Sequence, residues 1–462
     1  MGESISPDLV LQLLERIATL EARVAELEAQ LAAAKKNSRN SSKPPSSDIT
    51  NPKPPRHGKK RKSGGQPGHT PHFRIPFAPE ELDEAHRHEP PSMFCSCGGH
   101  LIAHPASDRI QQQIELVAKP LRRIEHRAVA YYCGRCGAFH RRSLPSGVVR
   151  AGFIGPDLAS CLAFLKAKAH ASYSSLRAFT ADVLGCPVSR GELAKTMHKV
   201  SKALAEPYAR ALGEVPKQQV LNIDETGHKE NGKRFWTWTF RAPGFAVFKI
   251  DASRSSRALA SVLGDDYSGI VGCDYFSAYR KHSRETGMKT QFCHAHLIRD
   301  VLFLAEHPEH TVKEYGKKLR RILRRVFRLL RLPAEQQTAD HQDKLRQTCH
   351  RLRRSAEHPP PAKAAENMAK RFREHGEAYF RFLDYPGVEP TNNAAEQTIR
   401  FVVLDRAVTQ GTRGSKGRDW SERIWTAVAT CAIRKTSLFK FLRDAMHAYC
   451  KKQTSSSLIN GL

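Results

Sequence analysis

Asp224, Asp274 and Glu396 lie far apart along this 462-residue chain, in contexts that could bring them to one place. Asp224 closes the apolar run 219–224 (QVLNID) and Asp274 closes 269–274 (GIVGCD), and both runs read as short buried strands. Glu396 stands where a helix begins after Pro390, in Asn392-Asn393-Ala394-Ala395-Glu396. Carboxylates are hard oxygen ligands suited to Mg²⁺ or Mn²⁺. Three that converge would hold two such ions about 3.5–4 Å apart, one on each side of an in-line displacement at phosphorus. Singly, each acid has an ordinary explanation as a strand-end residue or a first-turn acid favoured by the helix dipole. The joint placement points to chemistry. Glu225 competes as a ligand, but a residue next to Asp224 should face the other side of the strand.

Two thiol pairs suggest a second kind of site. Cys95-Ser96-Cys97-Gly98-Gly99 and Cys133-Gly134-Arg135-Cys136-Gly137 read as the knuckles of a structural Zn²⁺ site, with buried thiols as the alternative. The second pair has standard spacing. The first lacks one intervening residue, so His86, His88, His100 or His104 could replace a ligand. Cys293, His294 and His296 form another group, which could bind metal, bring His296 to a phosphate, or be a buried thiol beside a hydrogen-bonded imidazole. An odd total of eleven thinly spread cysteines argues against a disulfide framework.

These residues need elements to position them. From 219 on, three strand patterns (219–224, 234–240 and 245–250) are followed by a helix over 255–263, a strand at 269–274, a strand at 290–293 and a helix over 295–306. That order is expected of an RNase H-like α/β core, here divided into 213–306 and 391–450 by a helical basic insertion, 307–390. In the insertion, Leu319, Ile322, Leu323, Val326, Phe327 and Leu330 mark one helical face, and five arginines lie elsewhere on it. Upstream, the expected multidomain α+β chain carries a coiled coil at 8–34, a basic disordered linker at 35–75, a zinc-knuckle region at 76–148 and a helix-turn-helix-like domain at 149–212. Val10, Ile17, Val24 and Leu31 at heptad position a, with leucines 13, 20 and 27 at d, favour a parallel dimer.

Lys and Arg number 75 against 46 acidic residues, a formal charge of +29, which favours a polyanionic partner. The linker, with eleven basic residues including Lys59, Lys60, Arg61 and Lys62, suits phosphate contact without sequence reading. Further candidate DNA contacts are Arg190 at the start of the second helix of the helix-turn-helix, Arg400 and Arg406 after Glu396, and Arg413 and Lys416 in the loop GTRGSKGR. There is no uninterrupted run of 18 apolar residues and no signal-peptide pattern at the N-terminus, so a cytoplasmic, nucleoid-associated protein without a membrane partner is expected.

In order along nearly the whole chain, the motifs resemble those of the TnpC-type DDE transposases of the insertion-sequence-66 family. The resemblance rests on the N-terminal zipper, Asn40-Ser41-Ser42-Lys43-Pro44-Pro45-Ser46-Ser47-Asp48, Gly64-Gly65-Gln66-Pro67-Gly68-His69 and the cysteine knuckles. It rests further on Asp224-Glu225-Thr226, Asp274 with Tyr279, Cys293-x-Ala295-His296 and Asn392-Asn393-Ala394-Ala395-Glu396. It implies a catalytic triad of Asp224, Asp274 and Glu396, a zinc-binding region before the helix-turn-helix, and a helical insertion between the second and third acids. His294 stands where the family usually has Trp, and Gln397 where Arg is usual. The expected function is Mg²⁺-dependent cleavage and strand transfer on double-stranded DNA, both element ends and target, by a homodimer that could require accessory proteins of the same element. A DNA-binding regulator without catalysis and a purely hydrolytic RNase H-like nuclease are the alternatives.

Overall fold

The computed structural model describes residues 7–41 and 75–459, apart from 89–90, 95, 103–104, 106–109, 115, 118–119, 137, 142 and 334–336. Residues 42–74, with Lys59, Lys60, Arg61 and Lys62, lie outside the described residues, as do Cys95 and His104. The chain divides into two compact units, 55–125 and the combination of 1–54 with 126–462. In the smaller unit, Gln112 bonds the backbone of Phe77 in both directions, and Phe94 and His100 form an isolated antiparallel bridge.

The larger unit opens with one continuous helix, α1 (Pro7–Ala34). The seven heptad residues are all 43–58% exposed along it. Arg23 pairs within the helix with Glu26 at 2.7 Å. The next residues depart from the disordered linker expected there. Lys36 lies 3.8 Å over the Phe303 ring, Arg39 pairs with Glu306 at 2.7 Å, and Asn37 and Ser41 are buried. A search for apolar residues misses such docking, because cation–π contact and an ion pair carry it.

A small hairpin, β1 (Ala130–Tyr132) and β2 (Phe139–Arg141), precedes six helical segments. Five are α2 (Ser146–Ala151), α3 (Pro156–Lys168), α4 (Tyr173–Ala178), α5 (Arg190–Ala203) and α6 (Ala205–Glu214); the sixth is a π-helical turn, Phe179–Val183, after α4. After the π-helical turn a short loop leads into α5, which Ser189 caps by accepting from Glu192 N–H. The stretch Ser146–Lys168 is long and apolar enough by composition to cross a membrane. Here it is broken after Ala151, and α3 buries Ala159, Leu162, Ala163 and Ala167 in a core shared with α5 and two C-terminal helices.

A five-stranded sheet follows, built from β3 (Val220–Glu230), β4 (Lys233–Arg241), β5 (Ala246–Asp251), β6 (Ile270–Cys273) and β7 (Lys289–Phe292), in the order β5-β4-β3-β6-β7. The first three strands form an antiparallel meander, and β6 and β7 add in parallel. Helices α7 (Ser256–Leu263), α8 (Ser277–Thr286) and α9 (His294–Ala305) alternate with the later strands. The insertion forms α10 (His310–Leu330), α11 (Ala339–Glu357) and α12 (Lys363–His375), and the chain ends with α13 (Asn393–Thr409), α14 (Ser415–Ile433) and α15 (Leu438–Lys451).

Two apolar cores lie on opposite faces of the sheet. Val247 of β5 joins α7, α9 and the insertion, whereas its neighbour Phe248 joins α3, α5, α14 and α15, as strand alternation requires. The insertion therefore extends the sheet's own core. Leu319, Ile322 and Leu323 are buried in it and Val326 is buried as well, while Arg321, Arg324, Arg325 and Arg328 are exposed. Gly316 lets α10 approach α9, since a Cβ there would strike the backbone of Leu304 and Ala305.

The outer edge of β5 has no neighbouring strand, and α14 satisfies it with side chains. Glu422, Thr426 and Thr430 accept from the amides of Ile250, Phe248 and Ala246 at 2.7, 3.1 and 3.2 Å. The match is geometric, because four helical residues rise about 6 Å and two strand residues about 6.6 Å. Thr426→Val keeps the volume but leaves the buried Phe248 N–H without a partner. The expected loss of stability is about 1–3 kcal/mol, read as a lower denaturant midpoint.

Candidate active site

The positions of the three acids follow from where strand pairings stop. β3 and β6 pair in parallel only as far as Asn222↔Gly272, whereas β3 continues in antiparallel pairing with β4 to Glu230. Asp224 therefore lies inside an eleven-residue strand, not at its end as expected from the apolar run. What ends is its parallel neighbour, two residues earlier, which opens one edge of β3 beside Asp224. Asp274 is the first residue after β6 at the same edge, and its carboxylate accepts from Phe276 N–H at 2.9 Å.

Glu396 lies in the first turn of α13, and Asn392 fixes that turn. Asn392 Nδ2 donates to the Ile223 carbonyl at 2.7 Å, and its Oδ1 accepts from Asn222 Nδ2 at 2.9 Å. Its backbone N–H donates to Cys293 Sγ at 3.1 Å. The N-cap of α13 is Asn392, with its side chain turned to β3. Gly272 makes room for the clasp, since a Cβ there would fall 2.5 Å from Asn222 Nδ2.

The acids act on one another electrostatically. The Asp224 carboxyl is held well above the usual carboxylate range, first by burial and then by the charges of Glu225, Asp274 and Glu396. Glu225 is pushed up to about 7 by burial and by Asp274. It also has other partners. Tyr279 OH donates to it at 2.6 Å, and Arg254 donates two bonds to its other oxygen at 3.0 and 2.7 Å. The arginine is stacked on Trp236 and Phe276. Glu396 has His296 Nδ1 at 3.7 Å and Arg299 at 3.9 Å, and its buried Oε1 accepts no hydrogen bond. Crowded carboxyls with an unsatisfied oxygen suit divalent cations, whose charge would relieve the repulsion.

A cavity of about 240 Å³ opens beside Asp274, Cys293 and His296, with the Arg371–Asp300 ion pair (2.6 Å) in its wall. His294 is excluded from chemistry there. It is fully buried, bonds the Tyr379 carbonyl at 2.7 Å and is surrounded by Phe327, Phe380 and Phe382, so desolvation lowers its pKa to about 4.

The candidate cationic contacts disperse. Arg406 donates to Thr226 Oγ1 at 3.1 Å, on the face of β3 that carries Asp224. Arg400, Arg413 and Lys416 are exposed. The loop bearing the last two is tied to the β3–β4 turn, where Thr412 N–H donates to the Lys229 carbonyl and Asn231 N–H to the Thr412 carbonyl. Arg190 is exposed and donates to Ser174 Oγ at 2.8 Å. Of the cysteines, Cys133 follows β1, and hydrogen bonds from Cys136 and Arg135 hold its thiol below the ordinary value. That is the environment of a thiolate ligand. Cys97 and Cys136 are exposed thiols.

The Transposase IS66 family matches residues 151–419, more than half of the chain and the span that contains all three acids. The chain belongs to this family. The zinc-finger binding domain of transposase IS66 matches residues 93–137, which include all four knuckle cysteines and support a zinc site. A family of unknown function (DUF6444) matches residues 6–74. Among curated proteins, the uncharacterized protein y4hP of Sinorhizobium fredii is 25% identical over 400 residues, covering 78% of this chain and 70% of its own.

In this IS66-family chain, sequence reasoning missed the residues that hold the acids. Asn392 was quoted only as part of a motif, and Arg254 carried no local signal at all. Asn392→Ala would release the start of α13 from β3. A loss of roughly 10–100-fold in strand cleavage is expected, with Mg²⁺ affinity falling in parallel, as for other residues that orient metal ligands. A Mg²⁺ titration of cleavage rate separates this from general unfolding.

Proposed function

We propose that this transposase cuts and joins DNA strands at a divalent-cation centre held by Asp224, Asp274 and Glu396, set in an RNase H-like core. The observation that carries the reading is geometric: Asp224 lies on β3 just past the point where β6 stops pairing, Asp274 follows β6 at that edge, and Glu396 stands in the α13 turn that Asn392 ties to β3. The antiparallel meander continued by two parallel strands, with acids at the edge where β6 stops, supports it. Two Mg²⁺ or Mn²⁺ ions, when bound, supply Lewis-acid stabilisation of the attacking and leaving oxygens. The protein's share is to fix carboxylate positions. Asp224 and Asp274 come from adjacent strands, Glu396 from a helix clasped to the first strand by Asn392, and Glu225 stays engaged with Arg254 and Tyr279.

DNA has a basic path toward this centre. A groove of about 610 Å³ between α9, α10 and the start of α13 has Ile298, Leu302 and Phe327 on its floor and Arg320, Arg324, Arg328 and Arg331 along it. It reaches Thr391 and Asn393, within five residues of Glu396. Arg406 within α13, and Arg413 and Lys416 after it, add further charge. The zinc-finger span 93–137 carries a structural zinc, toward which Cys133 and Cys136 offer one thiol pair, and α1 pairs with a second copy through its exposed heptad face. The helices at 149–212 serve DNA binding, with Arg190 as a contact.

The test is a strand-transfer assay with Mg²⁺ and labelled element ends. Joined products support the proposal. Cleavage without joining would make the protein a hydrolytic nuclease, and binding without cleavage a regulator.

A further inference from the structure

Cys293 and His296 have no role in carboxylate-only chemistry, yet their arrangement is organised. Cys293 immediately precedes α9 and His296 lies in its first turn, so this spacing brings thiol and imidazole together. Glu396 arrives from the first turn of α13. Cys293 Sγ, a nitrogen of His296 and an oxygen of Glu396 all lie within 4.8 Å of one another. His296 Nδ1 and Glu396 Oε1, 3.7 Å apart, are both buried and neither has a hydrogen-bond partner. The buried Cys293 sulfur accepts the Asn392 N–H at 3.1 Å, and the amides of Ala295 and His296 also act on it. Burial holds the Cys293 thiol above its ordinary value, and the three amides directed at its sulfur act the other way.

We propose that Cys293, His296 and Glu396 bind one zinc-class divalent cation, leaving further coordination positions open, at a site that shares Glu396 with the Mg²⁺ centre. A set of one sulfur, one imidazole nitrogen and one carboxylate oxygen suits Zn²⁺ and Co²⁺, whereas Mg²⁺ prefers oxygen alone. Binding displaces the thiol proton to solvent and leaves a metal thiolate. The binding half of the inference stands on this geometry. Its consequence, that zinc withdraws Glu396 from Mg²⁺ and inhibits strand cleavage, rests on the function proposed above.

The experiment uses the full chain with its cysteine knuckle filled by Zn²⁺ and then titrated with Co²⁺. The expected result is one further equivalent, with a sulfur-to-cobalt charge-transfer band in the near ultraviolet. Cys293→Ser should abolish the band, and Glu396→Gln should weaken cobalt affinity at least about tenfold. Cys133→Ser controls for the knuckle and should keep the added band. His296→Ala, at a partly accessible position, serves as a second variant if Cys293→Ser does not fold. A wild-type titration with no such band, or a band that survives Cys293→Ser, overturns the site. A cobalt band in a protein that never cuts DNA keeps the site and removes the strand-transfer reading. Cleavage without the band does the reverse.

Discussion

Asp224→Ala, Asp274→Ala and Glu396→Ala are each expected to lower Mg²⁺-dependent strand cleavage by about a thousandfold or more, with binding to element ends retained. The size follows from the role proposed for the cations. Charge stabilisation at phosphorus is worth several kcal/mol, and each 1.36 kcal/mol is tenfold in rate. The exposed arginines of α10 and the helices before the sheet are untouched by these changes, so gel-shift affinity should move little. Glu225→Gln provides the contrast. Its carboxylate is already engaged by Arg254 and Tyr279, so a loss of roughly 10–100-fold, the scale of an orienting residue, is expected. Single-turnover cleavage of a labelled end measures all four. Any acid of the three whose alanine variant keeps a tenth of wild-type cleavage does not belong to the centre.

Much of this site was legible because strands and their closing residues leave local patterns. The apolar runs before Asp224 and Asp274, with the helix start at 392–396, gave local reasons to propose that three carboxylates converge. Periodicity in a single strand did not disclose that β3 runs on to Glu230, because residues 225–230 are polar and are held by pairing with β4 and by the Thr412 loop. The apolar face of α10 was readable from its spacing. That this face completes the sheet's own core was not, since a helical stripe carries no record of what covers it. Docking of 35–41 on α9 escaped for a related reason, because Lys36 over Phe303 joins residues 267 apart and neither has a local signature. The clasp by Asn392 is likewise long-range, linking residues about 170 apart through amide hydrogen bonds that any asparagine could make.

Crowded acids should also leave a mark on stability, readable without DNA. Glu225 has its pKa raised from 4.5 to about 7 in the folded chain. Between those values the folded state holds a proton that the unfolded state has lost, so its contribution to stability falls as pH rises through that window. The full cost, about 3 kcal/mol from the 2.5-unit difference, applies above pH 7. Asp224 is shifted in the same direction and adds to it. His228 and His294 act oppositely. Both have pKa values lowered to about 4, so they remain neutral in the fold, and their contribution rises with pH between about 4 and 6.5. The diagnostic quantity is therefore a difference. In EDTA, Glu225→Gln and Asp224→Asn should each melt higher than wild type at pH 8 by several degrees, and the gap should shrink as pH falls toward 5. Mg²⁺ should raise the wild-type melting temperature at pH 8, by an amount equivalent to about 2.7 kcal/mol at a hundred times its dissociation constant, and should do far less for Asp224→Asn. A gap that is absent, or that grows on acidification, would mean that the acids do not meet, because repulsion between carboxylates that share a site must weaken when protons neutralise them.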